Sequence, residues 1–179
     1  MSINEIYINP IQKSDIDRIS EIEASVYGEH HWSKDSFYSE VNNKLAKYYT
    51  ARVPSGEIAG YLGCWHIVDE AHITTIAVDK NYQRQHIAES LIVKMLEGCY
   101  NEFIKYITLE VRVSNTPAIK LCEKYGFKSL GTRKGYYQDN NEDALIMWTE
   151  NIFSDEYKAL FKQNLEDLEK KIEIKWQKG

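Results

Sequence analysis

Glu110 stands in the run Leu109-Glu110-Val111-Arg112-Val113, whose alternation puts Leu109, Val111 and Val113 on one strand face and Glu110 with Arg112 on the other. A carboxylate held in mid-sheet can take a proton from a substrate; it can equally be a solvated strand position paired with Arg112. A second run, residues 73–88, passes from the apolar Ile73-Thr74-Thr75-Ile76-Ala77-Val78 through a polar turn into a helix start. The first N–H groups of a helix lack partners within it and its macrodipole favours negative charge, so this junction can hold a diphosphate by backbone alone. Taken alone the turn is weakly specific, because strand-turn-helix junctions recur throughout α/β folds. His30 and His31 invite a metal reading, but sequence neighbours rarely ligate one ion together and no further His/Cys cluster helps, so no metal is expected.

These residues need elements to carry them. Residues 3–8 alternate as a first strand, and Ser14 with Asp15 can cap a helix bearing Ile16, Ile19, Ile22 and Val26 at helical spacing. Residues 29–32 form a loop before a second helix, capped by Ser33 and running to about Val41. Residues 48–53 and 58–68 are β-rich and separated by the turn Pro54-Ser55-Gly56, which suits a hairpin in an antiparallel meander. Strand 72–78, helix 88–99 and strand 106–111 then make a right-handed crossover. Pro117 suits the first turn of a helix over 117–125 and Gly126 its left-handed end; strands over 127–133 and 144–150 follow. In the tail, Ser154-Asp155-Glu156 caps a helix on which Tyr157, Leu160, Phe161, Leu165, Leu168 and Ile172 recur at spacings of three and four. That helix packs on the body or docks a partner.

The 179 residues, 43% hydrophobic and 12% aromatic, suffice for one domain with a buried core. A net charge of −5 provides no basic field for nucleic acid, so direct binding of DNA or RNA is not expected. Cys64, Cys99 and Cys122 are odd in number and lack CxxC spacing, which indicates neither a disulfide framework nor a zinc site. With no long apolar run, and no signal-peptide pattern in Met1-Ser2-Ile3-Asn4-Glu5, the expectation is a soluble cytoplasmic chain with no membrane partner.

Gln83-Arg84-Gln85-His86-Ile87-Ala88, together with the stretch from Ile107 through Ser114-Asn115 to Tyr125-Gly126-Phe127, resembles the GNAT acetyltransferase superfamily. Arg133-Lys134-Gly135-Tyr136-Tyr137 and Asp143-Ala144-Leu145-Ile146-Met147 look most like the RimI-type N-terminal protein acetyltransferases. The resemblance spans about residues 3–150, which makes 1–150 the acetyltransferase domain and 151–179 an accessory helix. It implies a mixed α/β fold, with a mostly antiparallel central sheet flanked by helices and strands splayed to admit acetyl-CoA. It further implies acetyl transfer to a protein N-terminal α-amine, by family the alanine of ribosomal protein bS18, through direct attack with Glu110 as base.

By the same resemblance the backbone of Ile76, Ala77 and Val78 holds the acetyl and pantetheine, and Asn115 bonds the pantetheine arm. Residues Gln83, Arg84, Gln85, His86, Ile87, Ala88 and Glu89 form the diphosphate cradle. His86 replaces the first glycine of the family pattern: histidine costs on the order of a kcal/mol if φ must be positive, whereas helical dihedrals need no glycine and an imidazole can bond phosphate. Glu89 is unfavourable facing a diphosphate unless the helix turns it to solvent. Cys122 falls where relatives have the tyrosine that protonates the leaving thiolate; a thiol can donate, but a small core residue is an equal reading, and Tyr125 lies one turn along. On the acceptor side, Trp32 and Ser33 match the family's Phe-Pro-Trp-Ser, with His31 in a more polar wall, and Tyr136 and Tyr137 grip the peptide or pack at a turn. The rival functions are a GNAT enzyme acting on a small amine or lysine and a non-catalytic acyl-CoA-binding module.

Overall fold

Hydrophobic alternation and helical spacing resolve, in the computed structural model, into five α-helices and an eight-stranded sheet over the described residues, 2–176. The strands are β1 (Glu5–Pro10), β2 (Ala46–Arg52), β3 (Ile58–Ile67), β4 (Glu70–Val78), β5 (Tyr106–Arg112), β6 (Phe127–Arg133), β7 (Ala144–Thr149) and β8 (Glu173–Trp176). Their order across the sheet is β6-β7-β5-β4-β3-β2-β1-β8. Helices α1 (Ile16–Tyr27), α2 (Lys34–Val41), α3 (Ile87–Asn101), α4 (Thr116–Lys124) and α5 (Asp155–Glu169) complete the fold. Pairing is antiparallel except for β4 with β5, the two ends of the crossover through α3, and β1 with β8.

Two apolar clusters form the core. Ile16, Ile19 and Ile22 of α1 meet Phe37 of α2 and Tyr48 and Tyr61 of the sheet. The Phe37 ring stands edge-on to both tyrosines, at 6.4 and 5.7 Å between centroids. The larger cluster gathers Leu91, Met95 and Leu96 of α3 with Ile6, Ile8, Leu62, Leu109, Tyr125 and Tyr157. Side chains of this size each contribute about 1.5–3 kcal/mol when fully buried, so the two clusters pin α1 and α3 to the sheet.

Ser33 caps α2 by accepting from the Ser36 N–H at 3.2 Å, as its sequence position suggests. The start of α1 differs from expectation: Ser14 lies in a 3-10 turn (Lys13–Asp15), and the Asp15 carboxylate reaches back to the Gln12 N–H at 2.9 Å. Gly126 ends α4 with φ +82°, and a Cβ there would stand 2.8 Å from the Tyr157 ring. The glycine thus allows both the left-handed turn and close seating of α5. Tyr157 donates to the Tyr125 carbonyl at 2.7 Å, and Asn164 to the Lys124 carbonyl at 2.8 Å. Helix α5 therefore packs on the body.

The tail departs from the expected single helix. Helix α5 stops at Glu169, and Ile172, which helical spacing would place on it, is buried beyond its end. Glu173–Trp176 instead joins the sheet as β8, parallel to β1, with Lys175 Nζ 2.9 Å from Glu5. Residues 177–179 of the expected accessory segment lie outside the described residues. No helix among the described residues is long and apolar enough to cross a membrane.

Candidate active site

The pairing of β4 with β5 covers Glu70 with Tyr106, Ala71 with Ile107 and His72 with Thr108, and stops there. Against β3, the register of β4 slips between Gly63 and Cys64, so that Gly63 faces Thr75 while Cys64 faces Ile73. The extra residue, Thr74, bends β4 just where it leaves β5. Beyond His72 the two strands diverge, and residues 73–78 have no β5 partner.

Glu110 sits on β5 at the edge of this opening with its side chain 13% exposed. Its Oε2 lies 2.7 Å from His72 Nε2, and its Oε1 lies 3.4 Å from Nε of the more exposed Arg133. Arg112 is not its partner. That guanidinium pairs with Asp139 at 2.8 Å and Glu142 at 3.3 Å, and lies 4.0 Å from the centre of the Tyr137 ring. His72 is not legible in the sequence as the partner of Glu110, because which residue of β4 reaches Glu110 depends on the parallel register and the splay, and neither is a local property.

At the start of α3, His86 adopts φ +66° and ψ 17°, a left-handed conformation that explains why a glycine is expected there; Arg84 is also left-handed, with φ +62°. No side chain caps α3, so its first N–H groups keep the unsatisfied donors that suit an anion. The glutamine side chains of this turn bond to backbone groups of the fold. Gln83 donates to the Val78 carbonyl at 3.1 Å, and Gln85 accepts from the Ile3 N–H at 2.8 Å. Arg84 and His86 are exposed, Ala88 is half-buried, and Ile87 belongs to the core. The Glu89 side chain does not reach solvent. Buried, it accepts from Lys124 Nζ at 3.0 and 3.1 Å and from the Tyr125 hydroxyl at 2.7 Å, so the helix turns this side chain to α4 and not to solvent, while its backbone N–H stays in the first turn of α3. Its charge is spent on α4. In β4, Ala77 is buried, Ile76 and Val78 are half-buried, and the Ile76 carbonyl accepts from the Tyr27 hydroxyl.

The profile of the acetyltransferase (GNAT) family matches residues 16–127. The chain belongs to the GNAT acetyltransferase family. A Bacillus subtilis protein assigned as a [ribosomal protein bS18]-alanine N-acetyltransferase is 43% identical over 141 residues, 79% of this chain and 93% of that one. The [ribosomal protein bS18]-alanine N-acetyltransferase of Escherichia coli K12 is 33% identical over 118 residues, 65% of this chain and 78% of that one. The crystal structure of the ribosomal-protein-S18-alanine N-acetyltransferase from Escherichia coli superposes with a TM-score of 0.76 at 29% identity, covering 84% of this chain and 97% of that one. Members of the GNAT family draw their acetyl group from acetyl-CoA.

On the remaining side of this GNAT fold, Trp32 packs on Phe37 at 5.5 Å and lines a shallow depression of about 310 Å³ with Ser36, Ser39 and Glu40. Glu40 accepts from Trp65 Nε1 at 2.6 Å, and the Trp65 ring stands edge-on to His72 at 6.4 Å. A row of contacts thus runs from the Trp32 depression through β3 and β4 to Glu110. His31 is exposed, with Nδ1 2.7 Å from the Gly28 carbonyl. Tyr136 stands edge-on to Tyr137 at 5.1 Å in the β6–β7 loop, where burial pushes the Tyr137 hydroxyl up to about 12.

Helix α4 carries the other two expected residues. Asn115 is its N-cap, with Oδ1 accepting from the Ala118 N–H at 3.3 Å and its amide nitrogen left for another partner. Cys122 lies in the core at 4% exposure, its thiol pushed up to about 12 by burial. Tyr125 is fully buried with its hydroxyl committed to Glu89, so it offers no substitute at the opening. Among the described residues no group of three or more His, Cys, Asp or Glu side chains is placed to hold a metal ion.

Proposed function

We propose that this chain transfers the acetyl group of acetyl-CoA to the N-terminal α-amine of a protein, with the N-terminal alanine of ribosomal protein bS18 as the acceptor, in the cytoplasm. The observation that carries this reading is the Glu110 carboxylate, held at the mouth of the β4–β5 opening by His72 rather than neutralised by Arg112. The names of the relatives at 43% and 33% identity supply the acceptor.

Acetyl-CoA supplies an activated thioester when bound. The uncapped start of α3 fits its diphosphate, the edge of β4 at 76–78 that β5 leaves uncovered fits the pantetheine amides, and the free amide nitrogen of Asn115 fits the arm. A protein α-amine titrates near ~8 and is mostly protonated at neutral pH, so attack needs a base. Glu110 takes that proton. Cys122 serves packing, and solvent rather than a side chain of α4 protonates the leaving sulfur. Trp32, His31, Tyr136 and Tyr137 shape the approach of the acceptor chain.

The test is acetyl-CoA-dependent transfer to peptides with free Ala, Ser or Met termini, with blocked termini, and with internal lysines, read by mass spectrometry beside a measurement of cofactor binding. Transfer to the free Ala terminus of a bS18 peptide is expected. Modification of the lysines alone would make this a different GNAT enzyme, and cofactor binding without transfer to any of these peptides would leave a small-amine enzyme or an acyl-CoA-binding module.

A further inference from the structure

We propose that Arg112 is a positioning residue for acceptor selection, which holds the β6–β7 loop in shape so that it engages the chain behind the reacting amine. This rests on the reading of Tyr136 and Tyr137 as the acceptor wall and deepens it, because it separates the group that selects the acceptor from the one that deprotonates it. Arg112 follows Glu110 by two residues on β5 and shares its face, so the strand that bears the base also bears the anchor of the loop.

The ladder between β5 and β7 ends at the pair of Arg112 with Ala144. Past it the Val113 N–H donates to the Asp143 carbonyl at 3.2 Å, and further out the guanidinium takes over. Its nitrogens lie 2.8 Å from Asp139, 3.2 Å from Asn140 and 3.3 Å from Glu142, while its centre stands 4.0 Å from the middle of the Tyr137 ring. Tyr136, half exposed, rests edge-on against Tyr137, so both tyrosines inherit their placement from Arg112. Glu142 also accepts from the Ser114 N–H at 2.8 Å, which joins the loop to the turn before Asn115. A planar fork suits this work, because it bonds two carboxylates at once and lies against an aromatic ring, neither of which an ammonium does as well. Without the cation, Asp139, Glu142 and the adjacent Asp143 would repel one another and spread the loop. A loop already in shape loses less entropy when the acceptor docks, so its contribution falls on KM and not on the chemical step.

Two acceptors with the same terminus separate this role from a general one: a bS18 N-terminal peptide, whose chain runs along the loop, and alaninamide, which has no chain to grip. In R112A the KM for the peptide is expected to rise about 10–100-fold, the size of lost charge-assisted bonds, while kcat at saturation, acetyl-CoA affinity and turnover of alaninamide stay within about threefold. R112K keeps the charge without the fork and is expected to recover part of the KM. Wild-type peptide KM in R112A, or in R112K should R112A not fold, overturns the proposal. So does an equal loss on both acceptors, which marks general damage to the site. The wild type is the control for the underlying reading: a preference for the peptide over alaninamide that R112A leaves intact removes Arg112 alone, whereas a wild type that does not favour the peptide removes the loop as acceptor wall.

Discussion

Glu89 in the first turn of α3 and Lys124 in the last turn of α4 meet at 3.0 and 3.1 Å, joining the helix that starts at the cradle to the helix that Asn115 caps. The Tyr125 hydroxyl closes the same carboxylate from the buried side at 2.7 Å. Replacing Glu89 with alanine orphans a buried hydroxyl and an ammonium that is a third exposed. The expected loss is about 2–3 kcal/mol, read as a lower urea midpoint with unchanged slope. A loss below about 0.5 kcal/mol would reduce the contact to an exposed ion pair.

Glu110 should behave quite differently. Since it supplies a proton acceptor and not a fold contact of similar weight, E110Q is expected to lower kcat about 10²–10⁴-fold at saturating peptide while acetyl-CoA affinity stays near the wild-type value. Steady-state kinetics with a cofactor-binding titration decides the matter, and a change confined to KM would argue for a positioning role.

His86 carries backbone strain at φ +66°. Glycine adopts this conformation freely, so H86G is expected to stabilise the protein by up to about 1 kcal/mol, or about 2–4 °C in Tm for a chain of this size. A β-branched residue is expected to lower Tm instead. If H86G melts lower than the wild type, the imidazole makes a contact that outweighs the strain.

Glu142 gives a pH signature. Its carboxylate accepts from the Ser114 N–H at 2.8 Å and from Arg112, and with Ser114 as the larger cause its pKa falls from 4.5 to about 2. A depressed carboxyl stabilises the fold in its charged form, fully above 4.5 and decreasingly as pH falls toward 2. The stability gap between wild type and E142Q should therefore be constant near neutrality and narrow on acidification. Urea midpoints from pH 7 to pH 3 measure it; a gap that widened toward acid would reverse the assignment.

The three thiols should be inert in the folded protein. Burial pushes Cys64 and Cys122 up to about 12 and also raises Cys99, so little thiolate is present at pH 8. Reaction with an aromatic disulfide reagent is expected to be at least about 100-fold slower than after unfolding in guanidinium. Rapid labelling of native Cys122 would bring it to the opening and restore it as a proton donor. C122A is otherwise expected to keep acetyl transfer within a few fold.

The sequence alone was enough to determine the elements whose signals are local. Helical spacing placed α1 and α3, the hydroxyls of Ser33 and Ser154 placed two helix starts, and Gly126 placed a left-handed end. The family resemblance pointed to Glu110 and to the start of α3 as site candidates. Tertiary structure decided what depends on register and direction. Helical spacing and strand alternation overlap at Ile172, and the free edge of β1 resolved the tail that follows into β8. The parallel offset of β4 and β5 chose His72 as the neighbour of Glu110, and the pull of Asp139 and Glu142 drew Arg112 away from it. Packing of α3 against α4 turned Glu89 inward, although its first-turn position suggested the cradle. A sequence fixes which face of an element is apolar, but the partner of a polar side chain on that face is chosen by whichever segment the folded sheet brings beside it.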